Sequence, residues 1–181
     1  MIYYTADLHF GHKAIIPFSR RPFSTVEDMD RELIENWNRR VRPQDTVYIL
    51  GDFCHRNSQP ASSYLKQLKG KKHLIIGNHD SRLIGDQDAM KYIKSVNSLQ
   101  VVHDVAGTVV LCHYPLAEWN GFHKGWYHAF GHIHNRKDET FLLMSFRERA
   151  LNAGVDVNHF QPATLAEMIQ NNRSFRSGSD D

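Results

Sequence analysis

Residues 73–80 read His73-Leu74-Ile75-Ile76-Gly77-Asn78-His79-Asp80, a short apolar run that stops at a glycine followed by three side chains able to hold a cation. The apolar run reads as a buried strand and the glycine as the sharp turn at its end. The same arrangement occurs twice upstream. Thr46-Val47-Tyr48-Ile49-Leu50 precedes Gly51-Asp52, and Ile2-Tyr3-Tyr4-Thr5-Ala6 precedes Asp7-Leu8-His9-Phe10-Gly11. Between these two strands, Ser24 or Thr25 offers an N-cap with Glu27 and Asp28 three residues after them. Val26, Met29, Leu33, Trp37 and Val41 then recur at helical spacing, which predicts an amphipathic helix ending near Pro43. A further helix is expected over residues 62–68. Strand, helix and strand in succession imply parallel pairing.

Downstream, Val101-Val102, Thr108-Val109-Val110-Leu111-Cys112, Trp126-Tyr127-His128-Ala129-Phe130 and Thr140-Phe141-Leu142-Leu143-Met144 read as consecutive strands with short connections. A mixed sheet is expected there. Thr164 with Glu167 has the pattern of a capping box opening a last helix through Ile169. After it, Arg173-Ser174-Phe175-Arg176-Ser177-Gly178-Ser179-Asp180-Asp181 has too little apolar content to pack. The expected organisation is one α/β domain over residues 1–172 and a disordered tail over residues 173–181.

Composition narrows the class. At 181 residues, 41% hydrophobic and 23% charged, the chain is long enough to bury most of its surface as one domain. The net charge of +2 is spread along the chain and nominates no partner. No apolar run approaches the roughly 20 residues of a membrane span, and the N-terminus lacks a basic start and a small-residue cleavage site. A soluble, cytoplasmic protein is expected. Cys54 and Cys112 fit a reducing compartment, and both read as structural. The unusual count is histidine, at 12.

Position gives those histidines meaning. Asp7-x-His9, Gly51-Asp52, Gly77-Asn78-His79-Asp80, Cys112-His113 and Gly131-His132-Ile133-His134 each sit directly behind an apolar run. A single Gly-Asp after a strand is ordinary turn chemistry. Successive segments of this kind are different, because ligands gather beyond the carboxyl ends of strands in such sheets. Imidazole nitrogen mixed with carboxylate and amide oxygen is too nitrogen-rich for calcium or magnesium and lacks the thiolates of structural zinc. Manganese fits best, with iron, zinc, cobalt or nickel as alternatives. Two carboxylates leave two divalent ions under-neutralised, so the site would attract an anion such as a phosphate ester.

In type and order these segments resemble the signature of the calcineurin-like metallophosphoesterases, from Asp7 to His134. The resemblance implies two mixed sheets packed as a sandwich flanked by helices, a four-layer fold. It also implies a first divalent ion on Asp7, His9, Asp52 and His134, and a second on Asp52, Asn78, His113 and His132, with Asp52 bridging. A hydroxide bridging ions about 3.5–4 Å apart would then attack phosphorus in line. His79 would contact the phosphate and protonate the leaving oxygen, with Asp80 orienting its ring. Phe10-Gly11-His12, the segment Asn152-Ala153-Gly154-Val155-Asp156 and Pro162 resemble the short bacterial and phage members.

Around this core, His12, His55 and Arg82 are candidate substrate-binding residues. His73, His103, His123, His128 and His159 lack motifs and read as structural. Arg20, Arg21, Arg56, Tyr114, Trp119, Lys124 and Trp126 combine cations and flat rings suited to a phosphate and a base. The loops 10–23 and 114–125 are expected to shape specificity. The reading is a metal-dependent phosphoesterase leaning to phosphodiesters of nucleotides or small molecules. The alternatives are a nuclease on DNA or RNA, a protein phosphatase, or a non-catalytic metal-binding scaffold. The sequence specifies neither oligomeric state nor natural substrate.

Overall fold

The apolar runs of the first half become β1 (Ile2–Thr5), β2 (Thr46–Ile49) and β3 (Lys71–Ile75), joined by β4 (Ile93–Asn97). These are the strands of a computed structural model that describes residues 1–55 and 58–178. They pair in the order β1-β2-β3-β4, every pair parallel, because a connection long enough to hold a helix returns the chain to the same end. A second sheet holds β5 (Leu99–Asp104), β6 (Gly107–Cys112), β7 (Tyr127–Phe130) and β8 (Ala150–Asn152) in that order. Here β5 and β6 are antiparallel and the other pairs parallel, so one sheet of the two is mixed.

Side chains on a strand alternate between faces, and that period sorts them into layers. Tyr4, Tyr48 and Ile75 meet Val109, Leu111, Ala129 and Leu151 between the sheets. Tyr3, Val47, Ile49 and Leu74 face outward onto Met29, Leu33 and Trp37 of α2 (Val26–Arg40). On the far side, Val110, Phe130 and Ala150 pack with Trp119, Ile133 and Met144. Thr25 caps α2, accepting a hydrogen bond from the Asp28 amide at 3.1 Å. Trp37 is fully buried and donates its indole N–H to the Lys69 carbonyl at 2.9 Å. Truncating it to alanine costs about 3–5 kcal/mol.

The remaining helices are short: α1 (Ile15–Phe18), α3 (Ala61–Leu65), α4 (Ser81–Gly85) and α5 (Gln87–Met90). The helix expected over 62–68 thus ends at Leu65. Residues 140–144, expected as a strand, lie in α6 (Glu139–Ser145). Asp138 caps it by accepting from the Phe141 amide at 3.1 Å. Phe141 and Met144, three apart, turn inward while Leu142 and Leu143 are exposed, a helical period hidden in a uniformly apolar run.

Thr164 and Glu167 form the expected capping box of α7 (Leu165–Ser177). That helix passes Ile169 and runs through most of the segment expected to be disordered, because three side chains tie it down. Asn172 donates to the Asn152 carbonyl at 3.0 Å, Phe175 packs edge-on against Phe141, and Arg176 reaches the carbonyls of Arg147 and Ala150. Residues 179–181 of the expected tail lie outside the described residues.

Candidate metal centre

The turns that follow β1, β2, β3, β6 and β7 meet at one point. Asp7, His9, Asp52, His132 and His134 all have φ between 52° and 71°, the left-handed region that disfavours side chains bearing a Cβ. Strain of this kind persists only where the surroundings impose it, and here it gathers on the residues singled out by sequence. Glycines let the turns close. A Cβ on Gly51 would stand 2.4 Å from His113 Nδ1, and one on Gly77 would stand 2.4 Å from Asp52 Oδ1.

Donor atoms of Asp7, His9 and His134 lie within 4.8 Å of one another, as do those of Asp7, Asp52 and His113. Asp52 Oδ2 is 3.6 Å from His9 Nε2, 3.7 Å from His113 Nε2 and 4.0 Å from His79 Nε2. Asn78 Oδ1 lies 3.0 Å from both His113 Nε2 and His132 Nδ1. Burial pushes Asp7 up to about 6 even though His134 and His113 pull it down. Burial, followed by the charges of His134 and Arg21, holds His9 far below the usual histidine range. Among the described residues His9 Nε2 has no hydrogen-bond partner although it is buried, which is rare for a polar atom in a folded protein. A cation satisfies both conditions: it neutralises the buried carboxylate and takes the lone pair of a neutral imidazole. The residues present therefore fit divalent ions.

The nitrogens facing away from the centre are held in turn. His113 Nδ1 lies 2.8 Å from the Leu50 carbonyl, leaving Nε2 toward Asp52. His134 Nδ1 lies 3.0 Å from Asp156 Oδ2. Asp156 also accepts from Arg21 Nε at 2.8 Å and Nη2 at 3.1 Å, and Arg21 donates to the carbonyls of Asp7 and Leu8. Burial raises the Asp156 carboxyl, but the bonds from His134 and Arg21 outweigh it and hold the group below the usual range.

Asp80 was expected to orient the His79 ring, and the structure gives it another task. Its carboxylate accepts the backbone amides of Asp52, Phe53 and Gly77 at 2.8–2.9 Å, tying the turns after β2 and β3 together. Among the described residues it makes no hydrogen bond to the His79 ring. His79 itself donates its amide to Asp52 Oδ1 at 2.9 Å, and its side chain is 48% exposed.

These groups floor a cavity of about 290 Å³, near the lower end of small-molecule sites. His9, Asp52, Asn78, His79, His132 and His134 contribute to it, and Ala14, Ile15, Phe18 and Arg136 extend its walls.

The sequence profile of the calcineurin-like phosphoesterases matches residues 1–160. The chain belongs to that family. It is 30% identical to an uncharacterized protein of Methanocaldococcus jannaschii, over 99% of this chain and 97% of that one. The Gene 66 protein of Mycobacterium phage D29 is 28% identical, over 87% of this chain and 89% of that one. A crystal structure of a protein of unknown function from Aquifex aeolicus superposes with a TM-score of 0.71 at 26% identity, covering 94% of this chain and 98% of that one.

Within this member of the family the outlying candidates separate. His12 lines the cavity, with Nδ1 3.3 Å from His9 Nδ1 and its ring stacked 4.0 Å from that of His55. Burial, then His55, holds His12 down to about 4. Arg82 lines a different cavity, beside Cys54 and Asp86. Arg21 and Trp119 are buried, Arg21 being consumed by Asp156 and two carbonyls, so neither reaches a ligand as proposed for the loop cations and rings. Arg56 lies outside the described residues. Loop 10–23 walls the cavity, whereas loop 114–125 touches the site through Tyr114, whose ring packs against His113 and His132. Asp156, Arg136 and Phe18 carry no individual role in the sequence reading, although Asp156 falls in the segment 152–156 and Phe18 in the loop 10–23 that it singles out. Burial pushes the Cys54 thiol up to about 11, consistent with an inert core residue.

Proposed function

We propose that the chain is a dinuclear metal-dependent phosphoesterase acting on small phosphodiesters, including those of nucleotides. The observation that carries this is the meeting of buried carboxylates and imidazoles around Asp52 with His9 Nε2 left unsatisfied. Asp7, His9, Asp52 and His134 would hold one ion, and Asp52, Asn78, His113 and His132 the other. Manganese suits this oxygen–nitrogen donor set best, with iron, zinc, cobalt or nickel as alternatives. When bound, two such ions acidify water to supply a nucleophile and neutralise charge on the phosphoryl group.

The chain's own residues do the rest. His79, half exposed on the cavity floor, can reach a phosphate oxygen and deliver a proton from Nε2 to the departing one. Its backbone bond to Asp52 fixes where that ring begins. Asp80 holds both turns in register, and Asp156 keeps His134 in the tautomer with Nε2 free. Every residue of the motif set is present in the cluster, which favours turnover over a scaffold. The free thiols of Cys54 and Cys112 suit the cytoplasm.

The test is hydrolysis of an aryl phosphodiester and the matching monoester by chelated protein, before and after manganese is added back, with metal content measured in parallel. Restored turnover at about two ions per chain supports the reading. Protein that binds no divalent ion would overturn it.

A further inference from the structure

The cavity has one wall that the metal reading does not use. Residues Ala14, Ile15 and Phe18, on and beside α1, line the same cavity as the imidazoles and carboxylates of the candidate metal centre. Phe18 is 61% exposed, and among the described residues it is the only large exposed hydrophobic side chain that lines this cavity. Its ring stands nearly perpendicular to that of His134, with 5.8 Å between centroids.

The wall is fixed. Ile15 is buried in the core, the Phe18 and Ser19 amides donate back to Ala14 and Ile15, and Asn135 donates to the Ser19 carbonyl at 2.8 Å. Arg21, clamped by Asp156, anchors the end of the same loop to the carbonyls of Asp7 and Leu8. A flat ring landing on Phe18 therefore meets a surface ordered in advance, and little is lost in immobilising it. Arg136, which also lines the cavity, adds a cation, although Asp138 at 3.3 Å shares its charge.

The geometry points to Phe18 as a specificity-determining platform on which a flat aromatic substituent of the phosphate ester, such as a nucleobase, stacks while the phosphate sits over Asp52. This rests on the proposed metal centre and narrows its substrate to esters bearing an aromatic group. Stacking of a base on an aromatic side chain is worth about 1–3 kcal/mol, or roughly 5-fold to 150-fold in affinity.

The test is equilibrium binding of inorganic phosphate, ribose 5-phosphate and adenosine 5′-monophosphate to manganese-loaded protein, in the wild type, Phe18→Ala and Phe18→Tyr. The wild type is expected to bind the nucleotide at least about 5-fold more tightly than ribose 5-phosphate. Phe18→Ala should abolish that preference and Phe18→Tyr should keep it. Equal binding of nucleotide and sugar phosphate by the wild type, or a preference surviving in Phe18→Ala, overturns the platform while leaving the metal centre standing. No binding of any phosphate by the manganese-loaded protein overturns the platform together with the phosphate-ester reading on which it rests, whereas protein that takes up no manganese overturns the metal centre itself.

Discussion

The two halves of the metal cluster are built differently. Asp7, His9 and His134 are buried, braced by Asp156 and Arg21, and carry left-handed backbone at each position. Asn78 is exposed and His132 half-buried, and only His113 on that side lies in the core. One half is fixed by packing, and the other, which includes exposed Asn78, would take the second proposed ion from the solvent side. The difference predicts that the buried half binds its metal more tightly.

The largest effect is expected at Asp52, where the halves join. Asp52→Ala should strip both ions and drop turnover to the chelated background; metal analysis that still finds about two ions per chain would refute the bridging role. Next, His79→Ala should leave metal content and folding intact yet cost about 10²–10⁴-fold in turnover. Full activity in that variant would remove His79 from the chemistry.

His128 serves as a control for burial itself. It is as buried as His113, but Leu116 N–H donates to its Nε2 at 3.0 Å and its Nδ1 lies 2.9 Å from the Val110 carbonyl, so the neutral ring is fully satisfied. Burial lowers its pKa to about 4, against backbone bonds that raise it. Below the unfolded value of about 6.5 the unfolded chain binds the proton more readily. Stability therefore rises with pH between these values, by up to about 3 kcal/mol from this group. Urea denaturation of the chelated protein across that window should show a shallower pH dependence in His128→Phe; an unchanged slope would mean that the ring does not titrate as its environment requires.

The smallest effects discriminate the halves directly. Manganese titration of the chelated protein should be biphasic. Asp156→Ala should weaken the tighter phase by about 10–100-fold, whereas Asn78→Ala should act on the weaker phase alone. A single phase lost equally in both variants would erase the distinction.

Much of the candidate site was legible because its proposed ligands stand just beyond the ends of strands, and that adjacency survives in linear order: Asp52 behind β2, Asn78 behind β3, His113 behind β6. The parallel pairing of β1, β2 and β3 followed from the helix-forming stretches between them. Residues 140–144 misled because Thr140-Phe141-Leu142-Leu143-Met144 shows neither a helical nor a strand period, and the Asp138 cap decided the outcome. The span 173–177 misled because the contacts that hold it, through Phe175 and Arg176, come from distant segments.

By itself, then, the sequence determined the chemical inventory: which donor atoms exist, which strand delivers each, and which glycines allow the turns. Tertiary structure decided how those atoms are used. It placed the Asp80 carboxylate on three amides, turned Arg21 inward onto Asp156, and left Phe18 facing the cavity. The physical reason is range. Strand period and turn chemistry act over a few neighbouring residues, whereas the partner of a buried charge is selected by desolvation, from any segment that packing brings within hydrogen-bond distance.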